Sequence, residues 1–219
     1  MGGGALQLAG FAAALGGWAA ALAAAALPQW RQSSYAGDAI ITAVGLYEGL
    51  WMSCAAQSTG QLQCRLHDSL LSLDAHLQTA RALMVVALLL GLAGAGASVA
   101  GLRCTTVGEG DPVAKGRAAV AGGLLFLLSG LGALTAVSLY ASRVTYEFFN
   151  PSTPLNARYE FGSALFVGWA AAGLTVLGGS LLCCSCPARQ PPSRRSPPST
   201  ARRSHIKISS PVVGGEQRL

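Results

Sequence analysis

Residues 82–102 read ALMVVALLLGLAGAGASVAGL, a stretch of 21 residues without a charged side chain. A helix rises about 1.5 Å per residue, so about 20 apolar residues cross the hydrocarbon core of a bilayer, which is roughly 30 Å thick. Three further uncharged intervals lie at 1–30, 118–142 and 161–188. Because helices satisfy every backbone hydrogen-bonding group within lipid, the four intervals predict four transmembrane helices.

The predicted helices divide the chain into a membrane domain and a tail. They cover about residues 7–27, 82–102, 118–142 and 161–184, with connections at 28–81, 103–117 and 143–160. The first helix is expected to be retained, because it lacks the basic amino-terminal segment of a secretory signal and its apolar run is too long for one. We therefore expect a four-span domain over residues 1–186 and a separate tail over residues 187–219.

Charge is concentrated in that tail. Basic residues number 15 and acidic residues 9, and the tail accounts for seven basic residues against one acid. The membrane domain is thus neutral, and the charge forms no patch on a folded domain, so nucleic acid is not an expected partner. The Ser-, Pro- and Arg-rich tail is predicted to be disordered, with its basic residues near anionic membrane lipid.

The basic residues also orient the helices. The connection 103–117 holds three of them in 15 positions, and the tail holds seven. Basic residues flanking membrane spans favour the cytoplasmic side. Both termini and this connection are therefore predicted to be cytoplasmic, and the connections 28–81 and 143–160 are predicted to face outward.

Cysteine usage agrees with this orientation. Cys54 and Cys64 lie in the first outer connection, where oxidising conditions favour a disulfide. Residues 40–54 are rich in β-branched and aromatic side chains, and residues 62–66 alternate apolar with polar, which predicts a hairpin closed by the disulfide. Asp68 is expected to cap a short helix that follows.

The remaining cysteines lie at predicted inner helix ends. Juxtamembrane cysteines are candidates for palmitoylation, and the alternative is that they are reduced thiols. These candidates are Cys104, Cys183, Cys184 and Cys186.

Several function classes find no support in the sequence. No Asp, Glu, Lys, Arg or His lies within a predicted span, whereas ion-coupled transporters usually place such groups in the membrane. No nucleophile motif, phosphate-binding loop or dinucleotide fingerprint is present, and the three histidines have no ligand partners at metal-binding spacing. We expect no enzyme activity, no cofactor and no metal.

A set of motifs resembles the claudins, the four-span proteins of tight junctions. The resemblance extends over residues 1 to about 186. Its main signature is Trp30, the run Gly49, Leu50 and Trp51, and the two cysteines Cys54 and Cys64. Further matches are Arg81, the run Phe148, Phe149, Asn150 and Pro151, and Gly162, Gly168 and Trp169.

The resemblance implies a fold and a function. The fold is an all-α transmembrane, left-handed four-helix bundle beneath an extracellular antiparallel β-sheet that both outer loops build. Claudins lie in the plasma membrane at tight junctions and polymerise with themselves and other claudins. They mediate calcium-independent adhesion and control paracellular ion permeability, as a barrier or a charge-selective pore depending on the claudins that co-assemble.

The resemblance also suggests roles for individual residues. Trp30 and Trp51 are expected to support the sheet, and the alternative is that they anchor the chain at the membrane interface. The run 148–151 is expected to contact another claudin in cis or trans. Its alternative is packing against its own loop.

Five charged residues of the first outer loop are candidates for ion selectivity, because a constriction selects by its fixed charges. The candidates are Arg65, Asp38, Glu48, Asp68 and Asp74. In claudins the position after the second cysteine is acidic in cation pores and basic in many barriers, so Arg65 predicts a cation barrier. The net charge of residues 31–80, −2, favours the opposite. We favour Arg65, because screening limits an exposed charge to about 8 Å.

The carboxyl terminus only partly matches a scaffold-binding motif. Leu219 is the hydrophobic end that a PDZ scaffold groove takes by strand addition, but Gln217 departs from the usual motif.

Two other protein classes are alternatives to a claudin. One alternative class is an accessory tetraspan of the myelin or epithelial membrane protein type, which the run 148–151 disfavours. The other is a channel subunit, which the charge-free spans disfavour.

Overall fold

A computed structural model describes residues 2–33, 45–57, 59–67, 74–102, 112–152 and 158–185. In chain order the elements are α1 (Gly2–Ala26), β1 (Arg31–Ser33), β2 (Gly45–Glu48), β3 (Met52–Ala56), β4 (Leu62–Leu66), α2 (Ala75–Gly101), α3 (Pro112–Phe149), β5 (Tyr159–Phe161) and α4 (Ser163–Cys184). All four helices are long and apolar enough to cross a membrane. The prediction of four transmembrane helices is confirmed.

Some sequence predictions fall outside the described residues. They concern Asp38, Asp68, Cys104, Cys186, and the tail with Leu219.

Two helices, α2 and α3, are longer than the uncharged intervals that mark them. α3 has 38 residues, which corresponds to about 57 Å, and it continues seven residues beyond Ser142 to Phe149. α2 likewise begins at Ala75, before the apolar interval starts. An uncharged interval marks the part of a helix that suits the hydrocarbon core of the bilayer. The helix itself can extend beyond that part where contacts with the rest of the protein stabilise it.

The five strands form one antiparallel sheet in the order β4-β3-β2-β1-β5. Arg31 of β1 lies opposite Glu48 of β2 on one side and Phe161 of β5 on the other. The strands β3 and β4 pair over five residues, with Cys54 opposite Cys64. Since β5 comes from the second outer connection, the prediction of a sheet built by both outer loops is confirmed.

Small residues let the helix backbones approach closely. α2 packs along α3, α1 along α4, and α3 along α4. A Cβ on Gly178 would lie 2.3 Å from the backbone nitrogen of Ala14, and one on Gly122 would lie 2.8 Å from that of Ser98. Lipid gives little hydrophobic drive for helix association, so this close packing holds the bundle together.

The core of the outer half lies directly beneath the sheet. Trp30 is fully buried, its Nε1 donates to the Ala24 carbonyl over 2.8 Å, and its ring meets that of Tyr140 edge to face at 5.1 Å. Leu50 and Met84 pack in the same cluster. Trp30 is therefore part of the core beneath the sheet.

Candidate functional site

The link between β2 and β3 seats the sheet on the bundle. The Gly49 N–H donates to the Met52 carbonyl over 2.9 Å, and Leu50 is fully buried. A Cβ on Gly49 would lie 2.6 Å from the Cα of Pro28, so only glycine fits without a backbone shift. The run 49–51 thus fixes where the sheet meets the end of α1.

Arg81 ties this link to α2. Its side chain is buried, and its Nε donates to the Leu50 carbonyl. Its guanidinium carbon also lies 5.2 Å from the ring centroid of Trp51, a cation–π distance. Trp51 remains 37% exposed. Of the two tryptophans, Trp51 alone keeps the partial exposure typical of an interfacial anchor.

The disulfide closes the β3–β4 hairpin. Cys54 and Cys64 are bonded, which confirms the predicted pair. β4 lies at the sheet edge, and all five of its residues are exposed, Arg65 among them. The disulfide therefore fixes the strand that carries the basic selectivity candidate.

Arg31 lies between two carboxylates. Its Nε donates to Glu48 Oε2 over 2.6 Å, and its Nη1 donates to Glu147 Oε2 of α3 over 3.0 Å. The guanidinium carbon lies 4.4 Å from the ring centroid of Tyr159 in β5. One side chain thus joins β1, β2, β5 and α3.

A second arginine extends these contacts to α2. Arg143 Nε lies 2.9 Å from Glu147 Oε1, and its Nη2 lies 3.0 Å from Asp74 Oδ2. Asp74 immediately precedes α2. The five residues form a continuous series of alternating charge, which we call the ion-pair chain: Asp74, Arg143, Glu147, Arg31 and Glu48.

Burial and charge act in opposite directions on Arg31. Burial alone lowers its pKa, but the nearby Glu48 and Glu147 carboxylates outweigh it and leave the pKa of Arg31 raised. Burial, together with Glu48, raises the pKa of Tyr159. Arg31 therefore stays cationic and Tyr159 stays neutral at physiological pH.

The ion-pair chain changes the charge balance of the first outer loop. Glu48 and Asp74 are each paired with an arginine. A paired carboxylate presents much less field to a passing ion than an isolated one. The formal charge of the loop therefore overstates the acidic field of these two candidates.

The run 148–151 forms the tip of the second outer loop. Phe149 is 75% exposed at the end of α3, and its ring meets that of Phe148 at 5.4 Å. Asn150 Oδ1 accepts the Ser152 N–H over 3.1 Å, which shapes the turn around Pro151. The exposure of Phe149 disfavours the alternative that it packs on its own loop.

An apolar cavity lies beside this tip. Its volume is about 350 Å³. It lies between the outer end of α3 and β5, with Val144, Phe148, Tyr159 and Phe161 in its lining.

The two described inner cysteines differ in their surroundings. Cys183 Sγ points at α3, 3.9 Å from the Val120 carbonyl, and a Cβ on Gly123 would lie 2.7 Å from it. Cys184 is exposed on the bundle surface.

Sequence analysis missed the helical half of the ion-pair chain. Arg143 and Glu147 are separated by four residues, which places them on one helix face. They directly follow the uncharged interval that ends at Ser142, and this pattern could have indicated a helix continuing above the membrane. Across the ranges that the structure describes, no three His, Cys, Asp or Glu side chains converge on a metal-binding position.

Comparison with known proteins agrees with this architecture. The model of the PMP-22/EMP/MP20/Claudin family matches residues 4–182. Claudin-19 of Rattus norvegicus is 66% identical over 215 residues, which cover 95% of this chain and 96% of the relative. Claudin-19 of Homo sapiens is 64% identical with the same coverage.

A relative outside that subtype is less similar. Claudin-1 of Mus musculus is 55% identical over 184 residues, 84% of this chain and 87% of the relative.

Proposed function

This chain belongs to the PMP-22/EMP/MP20/Claudin family and is a tight-junction claudin, not an enzyme, and from that premise we propose that it forms a paracellular barrier to cations. The four helices hold the sheet at the cell surface. Contacts between claudins then bring such sheets together in the space between cells. The proposal concerns the charge that a permeating ion meets there.

The observation that carries this proposal is the exposure of Arg65 on the edge strand that the disulfide fixes. Arg65 is exposed on the edge strand, and Glu48 and Asp74 are paired with arginines. Two unit charges about 5 Å apart in water interact by about 0.8 kcal/mol. Reversing the charge at position 65 should therefore change relative permeability several-fold after screening.

Dilution potentials across monolayers of a junction-poor epithelial line test the proposal. Arg65→Asp is expected to raise the sodium-to-chloride permeability ratio several-fold. Arg65→Lys keeps the charge and should leave the ratio unchanged, which controls for loss of shape. A ratio that stays constant in Arg65→Asp, at equal protein in the junction, would overturn the cation-barrier assignment.

The loop tip is the proposed adhesive contact. Phe149 is a large exposed aromatic ring beside an apolar cavity, and aromatic residues dominate the energetics of protein interfaces. We infer that the run 148–151 contacts another claudin in cis or trans.

The carboxyl-terminal tail is a proposed scaffold ligand and a proposed membrane-surface segment. A hydrophobic terminal residue such as Leu219 suits a PDZ groove. Pulldown with a peptide of residues 210–219, with and without Leu219, tests it, and equal recovery would remove the scaffold proposal. Binding of the tail peptide to anionic vesicles should weaken as salt rises, because its seven basic residues act through screened attraction.

A further inference from the structure

The ion-pair chain joins strands β1 and β2 of the sheet to α3 and to the start of α2. Glu48 lies on β2, Arg31 on β1, Glu147 and Arg143 on α3, and Asp74 immediately before α2. None of these residues lies on β4, the strand that carries Arg65. Their arrangement therefore calls for a different role.

Glu147 is the shared member of the chain. Its Oε2 pairs with Arg31 over 3.0 Å, and its Oε1 pairs with Arg143 over 2.9 Å. Neutralising Glu147 would cut the chain in its middle and leave the pairs Arg31–Glu48 and Arg143–Asp74 in place. Glu147 is thus the α3 carboxylate through which the ion-pair chain joins that helix to the sheet.

The protein also shields this part of the chain from solvent. The side chains of Arg31, Glu48 and Glu147 are only 24%, 26% and 29% exposed. Ion pairs in such positions are screened less by salt than fully exposed pairs. The Arg31–Glu147 contact is therefore suited to hold two elements together under extracellular conditions.

Two functional surfaces meet through this contact. Phe148 and Phe149 directly follow Glu147 in the last turn of α3. Arg31 begins a ladder of antiparallel pairs that runs through β1, β2 and β3 to β4, which carries Arg65. A shift of α3 relative to β1 would change the spacing between the aromatic tip and the charged edge.

We propose that Glu147 is a positioning residue that, through Arg31 and Arg143, fixes the aromatic tip at 148–149 relative to the edge strand that carries Arg65. The adhesive contact and the charged surface then keep one spacing in every copy. The purpose of this spacing rests on the proposed function, but the distance between the tip and the edge strand can be measured independently of that function.

A distance measurement tests the positioning directly. Spin labels at Phe149→Cys and Leu62→Cys, both exposed positions, report the tip-to-edge distance by pulsed electron resonance in purified full-length protein in nanodiscs. The native cysteines other than Cys54 and Cys64 are replaced by serine, so that only the two introduced cysteines carry labels. Glu147→Gln is expected to make the distance distribution about twice as wide, because a local element that loses its tether samples more positions.

The controls separate positioning from folding. Arg143→Gln should also widen the distribution, and Arg117→Gln, on the same helix but exposed at its other end and outside the ion-pair chain, should not. An unchanged width in Glu147→Gln would overturn the proposal. If Glu147→Gln does not yield monodisperse protein, Arg143→Gln decides the question by the same criterion.

Permeability provides the second test. In a double-mutant cycle, the effect of Arg65→Asp on the sodium-to-chloride ratio should be smaller in the Glu147→Gln background than in the unmodified protein. A purely structural role would lower the amount of protein at the junction and leave the two effects additive, which would contradict positioning. If Arg65→Asp has no effect alone, the cation barrier fails and the distance measurement still decides the role of Glu147.

Discussion

Arg31 and Glu48 face each other across β1 and β2, and the Arg31 Nε donates to Glu48 Oε2 over 2.6 Å. The same guanidinium donates to Glu147 of α3 over 3.0 Å. One cation therefore separates two carboxylates that belong to different outer loops. Losing the cation and losing one carboxylate should consequently have unequal effects.

Arg31→Gln should destabilise the protein more than Glu48→Gln. Removing the cation leaves Glu48 without its ion-pair partner beside Glu147, which is then held by Arg143 alone, whereas removing Glu48 leaves Arg31 paired with Glu147. Hydrogen bonds to charged groups contribute about 1.5–3 kcal/mol, and partial exposure lowers that figure here, so we expect losses of about 2 and about 1 kcal/mol. Melting temperatures of the purified protein in detergent measure this order, and equal or inverted shifts would contradict it.

Gly162→Ala should disrupt the junction of β5 and α4. A Cβ at this position would lie 2.0 Å from the Gln29 carbonyl oxygen, and that backbone is held by β1 pairing next to it. Overpacking of this kind costs about 1–3 kcal/mol. The melting temperature and the amount of protein at the cell surface should both fall.

Gly173→Ala is the matched control, because nothing lies within 4 Å of the Cβ it would add on α4. A helix gains from alanine over glycine, so its melting temperature should stay equal or rise. Equal melting temperatures for the two variants would show that the close contact at Gly162 is not the reason for glycine at that position.

Hydropathy predicted the number and order of the membrane helices but not the length of α3. The extension from Arg143 to Phe149 is not an uncharged apolar run. It is helical because tertiary contacts hold it, with Glu147 paired to Arg31 and Val144 buried beneath the sheet. Contacts between segments more than 100 residues apart leave no pattern in the local sequence. Only the two charged residues at 143 and 147, spaced for one helix face, could have indicated that α3 extends beyond the apolar interval.

The signature residues were predictable as a group, whereas the charge pairing was not. The resemblance grouped Trp30, Leu50 and Arg81 as signature residues; in the structure Trp30 is buried and Arg81 donates to the Leu50 carbonyl. The loop charge of −2 counted Glu48 and Asp74 as free, because a count contains no information about partners on other elements. Residues 62–66 alternate apolar with polar, a pattern typical of a half-exposed strand, but all five residues of β4 are exposed.

Removing the disulfide should loosen the edge strand. Cys54→Ser with Cys64→Ser opens a loop of nine intervening residues, which corresponds to a loss of about 2–3 kcal/mol. The effect should appear as faster amide hydrogen exchange in 52–66, while exchange in α4 stays slow. Equal acceleration in both regions would mean that the disulfide stabilises the whole domain and not the hairpin.

Cys184 should carry more acyl chain than Cys183. Cys184 is exposed on the bundle, and Cys183 Sγ points at α3 toward the Val120 carbonyl. Cys184→Ser should therefore remove more palmitate-analogue label than Cys183→Ser, with Cys104 and Cys186 kept in both variants. Equal loss from the two variants would show that packing at Cys183 does not restrict acylation, and no loss from either would exclude both sites.

Phe149→Ala should weaken adhesion without weakening the fold. Phe149 is 75% exposed, so its truncation removes few contacts within the chain, whereas it removes much of the apolar surface at the loop tip. Enrichment at contacts between expressing cells should fall, and the melting temperature should change little. Val144→Ala is the contrasting variant, because Val144 is buried and its truncation should cost about 1–2 kcal/mol.

The two variants together separate adhesion from stability. If Phe149→Ala lowers contact enrichment at an unchanged melting temperature while Val144→Ala lowers the melting temperature, the aromatic tip acts through a partner. If Phe149→Ala instead lowers the melting temperature as much as Val144→Ala does, the ring stabilises its own loop, and the proposed adhesive contact must lie elsewhere on the sheet.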